Sequence, residues 1–124
     1  MSDLREYISQ VKKIKELKTI KSKVSTKYEI AGVTAKVDQS HAVLFENIKE
    51  SDFRLVSNLV GTRKRFALAV GGTESNIHQK VISAIKNAKT PKIIPNGKFM
   101  ENKSKNIHSM PIVTHFEKES GPFI

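Results

Sequence analysis

The sequence predicts an α/β fold of the α+β kind, in which about three to four helices cover a small mixed sheet and an extended tail follows. Two short apolar runs, 42–45 and 54–60, have strand length, contain branched residues and end at turn residues. Three longer stretches, 3–17, 26–37 and 74–88, place apolar residues at helical spacing. With 124 residues, the chain has the size of one domain.

The first predicted helix, 3–17, carries both a start signal and an apolar stripe. Asp3 followed by Glu6 has the form of a capping box. The stripe consists of Leu4, Ile8, Val11 and Ile14, with Tyr7 on the same side. The next segment, 17–24, alternates partially and is rich in Lys, which is typical of an edge strand with Lys pointing outward.

The second predicted helix, 26–37, also begins with a capping-box pattern, Thr26 with Glu29. Its narrow apolar stripe consists of Ile30, Val33 and Val37. A loop follows, and it ends at His41 just before the strand 42–45. A lone His in this place is typical of a surface or hydrogen-bonded residue rather than of a ligand.

After the strand 54–60, Thr62 is predicted to cap a short helix that ends at the double Gly of residues 71–72. Its predicted apolar face consists of Phe66, Ala67 and Val70. Thr73 is then expected to cap the helix 74–88, which Pro91 ends. The face of that helix consists of Ile77, Val81, Ala84, Ile85 and Ala88.

From residue 91 onward the composition becomes polar and rich in turn residues, which is typical of a linker. Brief extended pieces are expected at 92–94 and 98–100. We therefore divide the chain into a domain at 3–90 and a linker with an exit strand at 91–124.

Composition excludes several function classes. There is no Cys, so disulfides and thiolate metal sites are excluded. No apolar run approaches the roughly 20 residues of a membrane span, and the charged N-terminal helix lacks a signal-peptide core, so we expect a cytoplasmic protein. The net charge of +10 suits nucleic acid or an acidic partner, but the scattered Lys and scarce aromatics favour a solvated surface over nucleic-acid binding.

Candidate chemical sites are few. The segment from Gly61 to Arg65 leads from a strand into a helix and could bind an anion, although it lacks a Gly-rich loop and favours a structural turn. His115 with Glu117 and Glu119 is a weak metal pattern. The sequence contains no nucleophile motif and no spaced His cluster.

Several segments together resemble one enzyme family. The residues LFEN at 44–47 precede a strand that runs into NLVGTRKR at 58–65, similar to the pattern N-L-x-G-[ST]-x-x-R of the N-terminal domain of UbiD-type decarboxylases. DLREYI at 3–8 is similar to the opening helix of that family. PIVTHF at 111–116 and GPFI at 121–124 resemble its segment leading into the catalytic domain.

The resemblance implies a carboxy-lyase that removes or adds a carboxylate on an unsaturated or aromatic acid. It also implies that the catalytic residues lie in a catalytic domain or subunit beyond this chain, so no catalytic, cofactor or metal residue is assigned here. The complete enzyme would use prenylated FMN with a divalent metal, with or without potassium, and could form a homo-oligomer.

Within this chain the resemblance implies a structural role, as the first domain or small subunit of a split or truncated enzyme. Residues expected to pack against the catalytic domain are His115, Phe116, Gly121, Pro122 and Phe123. Two alternatives stay open, a free-standing interaction module that has lost the chemistry and a basic nucleic-acid-binding protein.

Overall fold

The structure is a computed structural model that describes residues 3–97 and 100–121. In chain order its helices and strands are α1 (Leu4–Lys13), β1 (Leu17–Ile20), α2 (Glu29–Lys36), β2 (Ala42–Phe45), β3 (Leu55–Ser57), α3 (Arg63–Ala69) and α4 (Ile77–Lys86). A short 3-10 helix lies at Ile107–Ser109. None of the helices in this part of the chain is long and apolar enough to cross a bilayer.

β2 is the central strand of a three-stranded sheet with the order β1-β2-β3. It runs parallel to β1, with Leu17 opposite Ala42, and antiparallel to β3, with Phe45 opposite Leu55. The parallel pair requires a crossover connection, and α2 supplies it. The predicted mixed sheet with helices around it is therefore confirmed, and β1 is an edge strand as the Lys-rich sequence predicted.

Side chains alternate between the two faces of the sheet, and each face has its own apolar core. The core on the α2 side consists of Val24, Ile30, Val43, Phe45 and Ile48. The core on the α1 side consists of Tyr7, Val11 and Ala42, with Leu17, Leu59 and Leu68 packed against it. Helices therefore cover both faces of the sheet.

The predicted helix starts were right for α1 and α3 and wrong for the other two helices. The carboxylate of Asp3 accepts from the Glu6 amide at 2.8 Å, as the capping pattern predicted. α2 begins at Glu29, because Tyr28 has a left-handed backbone (φ 69°) and the Glu29 carboxylate accepts from the Ser25 amide. The predicted capping by Thr26 is therefore wrong.

α4 begins at Ile77 rather than at residue 74, so the predicted cap at Thr73 is also wrong. The side-chain oxygen of Asn76 instead accepts a hydrogen bond from the Thr73 amide at 2.8 Å. That contact closes a turn ahead of the helix. The N-terminal residues of the predicted helix lie in this turn.

The second predicted strand ends early. β3 covers Leu55–Ser57, since Asn58 adopts a left-handed backbone (φ 55°) that an extended strand cannot continue. The Asn58 amide donates to the carbonyl oxygens of Asp38 and His41, each at 2.8 Å. The chain is thereby turned toward α3.

The tail returns to the first part of the chain. The Thr114 amide donates to the Thr26 carbonyl, and the Tyr28 amide donates to the Thr114 carbonyl, both at 3.0 Å. Val113 packs against the core on the α2 side. Residues 92–94 form no strand, and Lys98 and Phe99 of the other expected extended piece lie outside the described residues. The boundary at residue 90 stays a prediction.

Candidate functional site

Arg65 is the one charged side chain among the buried residues that the structure describes, with a relative exposure of 0%. Its Nη1 donates to Glu16 Oε2 at 3.1 Å and to the Ser40 carbonyl at 2.9 Å. Its Nε and Nη2 are buried without a hydrogen-bond partner. The guanidinium thus joins α3 to the α1–β1 connection and to the loop before β2.

Glu16 is the acceptor at the centre of this group and is 17% exposed. It also pairs with Lys64 Nζ at 2.8 Å. Burial alone would raise the pKa of Glu16, but its hydrogen bonds to Lys64 and Arg65 and their charges lower that pKa below its ordinary value. The carboxylate is therefore held in its charged form.

Tyr7 connects α1 to the same region. Its hydroxyl lies 2.9 Å from the Leu59 carbonyl oxygen and 2.8 Å from the Arg65 carbonyl oxygen. Burial raises the pKa of this phenol. The positive charge of Arg65 lowers that pKa, and the negative charge of Glu16 raises it further. The neutral hydroxyl acts as a structural donor between the helices.

These contacts decide between the two interpretations of the Gly61–Arg65 segment. Arg63 donates to the Glu74 carbonyl through Nε and Nη2, at 3.3 and 3.1 Å, while Lys64 and Arg65 are paired with Glu16. The Thr62 hydroxyl oxygen accepts from the Arg65 amide at 3.3 Å. All three cationic side chains already have partners within the domain, which favours the structural turn over an anion site.

The buried Arg65 also overturns the predicted face of α3. Phe66 and Val70 were expected inside, yet both are exposed, and the inward positions hold Arg65 and Ala67. Compared with the predicted orientation, α3 turns Arg65 rather than Phe66 toward the core, where the guanidinium contacts Glu16. One signal in the sequence pointed to this partner, since Glu16 is the single acidic residue between Glu6 and Glu29 in a stretch rich in Lys.

α4 and the end of α3 form an apolar groove of about 330 Å³, which we call the α3–α4 groove. Its lining consists of Val70, Lys80, Val81, Ala84 and Ile85. Of the predicted apolar face of α4, Ile77 alone is buried. The helix contains the predicted positions from Ile77 to Ile85, but Ala88 lies beyond its end, and the rest of the predicted face is exposed to solvent.

The tail residues expected to contact a catalytic domain lie on the surface where the structure describes them. Phe116 is 61% exposed. His115 is also exposed, and its amide donates to Glu119 Oε2 at 2.6 Å, a hydrogen bond that lowers the pKa of Glu119. Gly121 is half-buried with a φ of 145°, and Pro122 and Phe123 lie outside the described residues.

No group of three or more His, Asp or Glu side chains that could hold a metal ion occurs within residues 3–97 and 100–121. His115 pairs with Glu119 through Nδ1 at 3.2 Å, and this contact makes an ion pair only when His115 is protonated. The α3–α4 groove and a second groove beside α1 and β3 are both lined mainly by apolar side chains. The first groove presents Lys80 and the second presents Arg5 and Arg54 beside their apolar side chains, so neither groove offers carboxylate ligands for a divalent cation.

Comparison with known proteins gives a consistent result. Residues 8–85 match the family model of the 3-octaprenyl-4-hydroxybenzoate carboxy-lyase N-terminal domain. The chain is 23% identical over 121 residues to anhydromevalonate phosphate decarboxylase of Methanothermobacter thermautotrophicus, covering 98% of this chain and 28% of that protein. It is 27% identical over 148 residues to a 4-hydroxybenzoate decarboxylase subunit of Chlamydia pneumoniae, covering 100% of this chain and 25% of that protein.

Among solved structures, an evolved dimeric form of the UbiD-class enzyme HmfF from Pelotomaculum thermopropionicum, in complex with prFMN, matches with a TM-score of 0.90 and 27% identity. The match covers 98% of this chain and 30% of HmfF. The chain thus spans less than a third of the length of these relatives.

Proposed function

Because the chain belongs to the UbiD family of carboxy-lyases and corresponds to the N-terminal domain of that family, we propose that it serves as the first domain or a small subunit of a decarboxylase. One observation carries the proposal. The fold matches HmfF over 98% of this chain but over 30% of HmfF, so the match is to one part of a larger enzyme. The role of this part is structural, because its buried polar side chains hold the domain together instead of facing a cavity.

The whole enzyme would remove or add a carboxylate on an unsaturated or aromatic acid. The decarboxylases of Methanothermobacter and Chlamydia support this reaction class. Prenylated FMN supplies the electron sink in such chemistry, and the prFMN complex of HmfF supports it as the cofactor here. We assign the flavin, a divalent metal and any potassium to the rest of the enzyme, in keeping with a match that covers 30% of HmfF.

We propose that the tail leads toward that catalytic part and packs against it through His115, Phe116, Gly121, Pro122 and Phe123. The exposed Phe116 ring supports this role, because a large apolar side chain in solvent gains free energy when a partner covers it. Val113 and Thr114 anchor the preceding residues to the domain. We also propose that the enzyme is cytoplasmic.

The test is to purify the tagged chain from its native cells and to analyse the product by native mass spectrometry. We expect a stoichiometric complex with a larger, flavin-carrying UbiD-class polypeptide. Recovery of the chain alone, at a concentration where the tag captures it fully, would contradict the proposal and would favour the free-standing interaction module.

A second measurement uses the purified chain by itself. We expect it to be folded by circular dichroism, colourless and without decarboxylase activity, because the chemistry lies elsewhere. Flavin absorption in the near-ultraviolet and visible, retained through gel filtration, would contradict the assignment of the cofactor to the other part.

A further inference from the structure

α4 is an amphipathic helix whose apolar side faces solvent. It is ten residues long, and Ile77 at its first position is its one buried residue. Val81 and Ile85 follow at four-residue spacing, on the same side of the helix, and are 37% and 73% exposed. A helix with an apolar side of this kind is normally stabilised by packing on another element, and α4 lacks such a neighbour over most of its length in the described part.

α3 extends the same surface. Phe66 and Val70 are both exposed, and Val70 lines the α3–α4 groove beside Val81 and Ile85. The two helices are held close together at their connection, since a Cβ on Gly72 would lie 2.6 Å from Asn76 Oδ1 and 3.3 Å from Lys80 Cγ. The groove is thus formed by apolar side chains of both helices beside this tight connection.

The charged residues of α4 and of the segment that follows it are of one sign. Between Glu74 and Glu101 the sequence has no acidic residue, and it has five Lys. Of these, Lys80 lines the groove and Lys86 is in the last turn of α4. None of the ion pairs found within the described residues involves Lys80, Lys86 or Lys89. An apolar centre with a rim of free positive charge suits an apolar partner surface with an acidic rim.

We propose that the α3–α4 groove is the docking surface for the catalytic part of the UbiD-class enzyme, which inserts apolar side chains between Val70 and Ile85 and places acidic residues against Lys80 and Lys86. This inference rests on the proposed function and adds the groove as a second contact surface beside the tail. The comparisons support this occupant, because the match covers 28% of the Methanothermobacter decarboxylase and 30% of HmfF, so the rest of each relative is more than twice as long as the matched part.

Two other occupants suit this surface less well, a second copy of the chain because of charge and a membrane because of side-chain type. A second copy of this chain would bring its own Lys rim against Lys80 and Lys86, and like charges across an interface repel. An anionic membrane would accept the Lys rim, but the apolar side of α4 has no Trp, Phe or Leu, the residues that anchor interfacial helices, so Phe66 of α3 is the one such anchor among the residues named for this surface. The catalytic part is the occupant that the charge and the groove shape both favour.

The test compares variants of the tagged chain, each used to capture the flavin-carrying UbiD-class polypeptide from native cells. Ile85→Asp places a charge in the centre of the groove and should lower the apparent affinity at least tenfold, as at an interface hot spot. Ile85→Leu should retain binding. Phe53→Asp is the matched control, because Phe53 is 55% exposed and lies on the β2–β3 connection, outside the groove.

A charge-reversal pair provides an independent readout. Lys80→Glu with Lys86→Glu should weaken capture, and the affinity of the unchanged chain should fall as salt rises while that of the double variant changes less. Circular dichroism checks that each variant is folded, which the exposure of Ile85 leads us to expect.

The outcomes separate this inference from the proposed function. Capture by the unchanged chain and loss with Ile85→Asp alone supports both. Equal capture by the unchanged chain and Ile85→Asp, or loss with Phe53→Asp alone, overturns the docking surface and leaves the proposed function standing. If the unchanged chain captures no UbiD-class polypeptide, both the inference and the proposed function are overturned. If the chain sediments as a dimer and Ile85→Asp abolishes the dimer, the groove binds a second copy. If the chain floats with phosphatidylserine vesicles and Ile85→Asp abolishes this flotation, the groove binds a membrane. Either result would overturn the inference.

Discussion

Glu16 Oε2 accepts a hydrogen bond from Arg65 Nη1 at 3.1 Å, although the two residues are 49 positions apart in the sequence. The pair joins the α1–β1 connection to α3. The Arg65 side chain is fully buried, whereas Glu16 is partly exposed and has Lys64 as a second partner. The two residues therefore differ in what their removal leaves behind.

We expect Glu16→Ala to destabilise the domain more than Arg65→Met. Removing the carboxylate leaves a buried guanidinium without its counter-ion, which costs roughly 3 kcal/mol or more. Arg65→Met keeps an apolar stem and leaves Glu16 paired with Lys64, so the main loss is the hydrogen bond to the Ser40 carbonyl, about 1 kcal/mol. Urea unfolding measures both free energies. Equal losses, or a larger loss for Arg65→Met, would contradict this asymmetry.

The same pair predicts a pH dependence. Because the folded-state pKa of Glu16 is lowered, its stabilisation is fully present above the ordinary value of 4.5 and is lost as the pH falls through the lowered pKa. Glu16→Gln cannot ionise and lacks this contribution. The free energy of unfolding of the natural chain should therefore fall more steeply between about pH 7 and about pH 3 than that of Glu16→Gln. Glu29, Glu50 and Glu119 titrate in both proteins, so parallel curves would show that Glu16 contributes nothing.

The inward orientation of Arg65 marks the limit of what the sequence could predict. Periodicity located the strand at Ala42–Phe45 and the cap at Thr62, since both depend on neighbouring residues. The rotation of α3 depends instead on a carboxylate that is distant in sequence, and apolar spacing carries no information about that partner. Counting Phe66 and Val70 as core residues was wrong for this reason.

For the candidate site, too, the sequence predicted one part and could not predict another. The spacing of Ile77, Val81 and Ile85 predicted an apolar face, but not whether this domain or a partner covers it. The resemblance supplied the family and hence the expectation of a partner. The tail residues suggested for that contact remain a prediction, while the α3–α4 groove became visible only when the exposure of each helix was known.

Tyr7→Phe isolates the contribution of one hydroxyl. The change leaves the Leu59 and Arg65 carbonyl oxygens without this donor and should cost about 1–3 kcal/mol in urea unfolding. The raised pKa of Tyr7 gives a second readout, because Tyr28, the other tyrosine of the chain, is more exposed. Ultraviolet titration should show a late-ionising tyrosine that disappears in Tyr7→Phe. Stability should also fall as the pH rises above 10, where the unfolded state ionises first.

Substitution of Ala at Gly61 and at Gly32 should change the stability of the domain in opposite directions. A Cβ on Gly61 would lie 1.7 Å from Asn58 Oδ1, and the Asn58 amide is fixed by the carbonyl oxygens of Asp38 and His41. Gly61→Ala should therefore displace the side chain that turns β3 toward α3, at a cost of about 1–3 kcal/mol.

A Cβ on Gly32 meets no atom within 4 Å, and the residue lies within α2, so Gly32→Ala should stabilise the domain by about 0.5–1 kcal/mol. Thermal unfolding of the two variants beside the natural chain measures both signs in one experiment. A neutral Gly61→Ala would mean that Asn58 moves freely and does not hold the turn. A loss of stability in Gly32→Ala would show instead that the outer side of α2 is packed in solution.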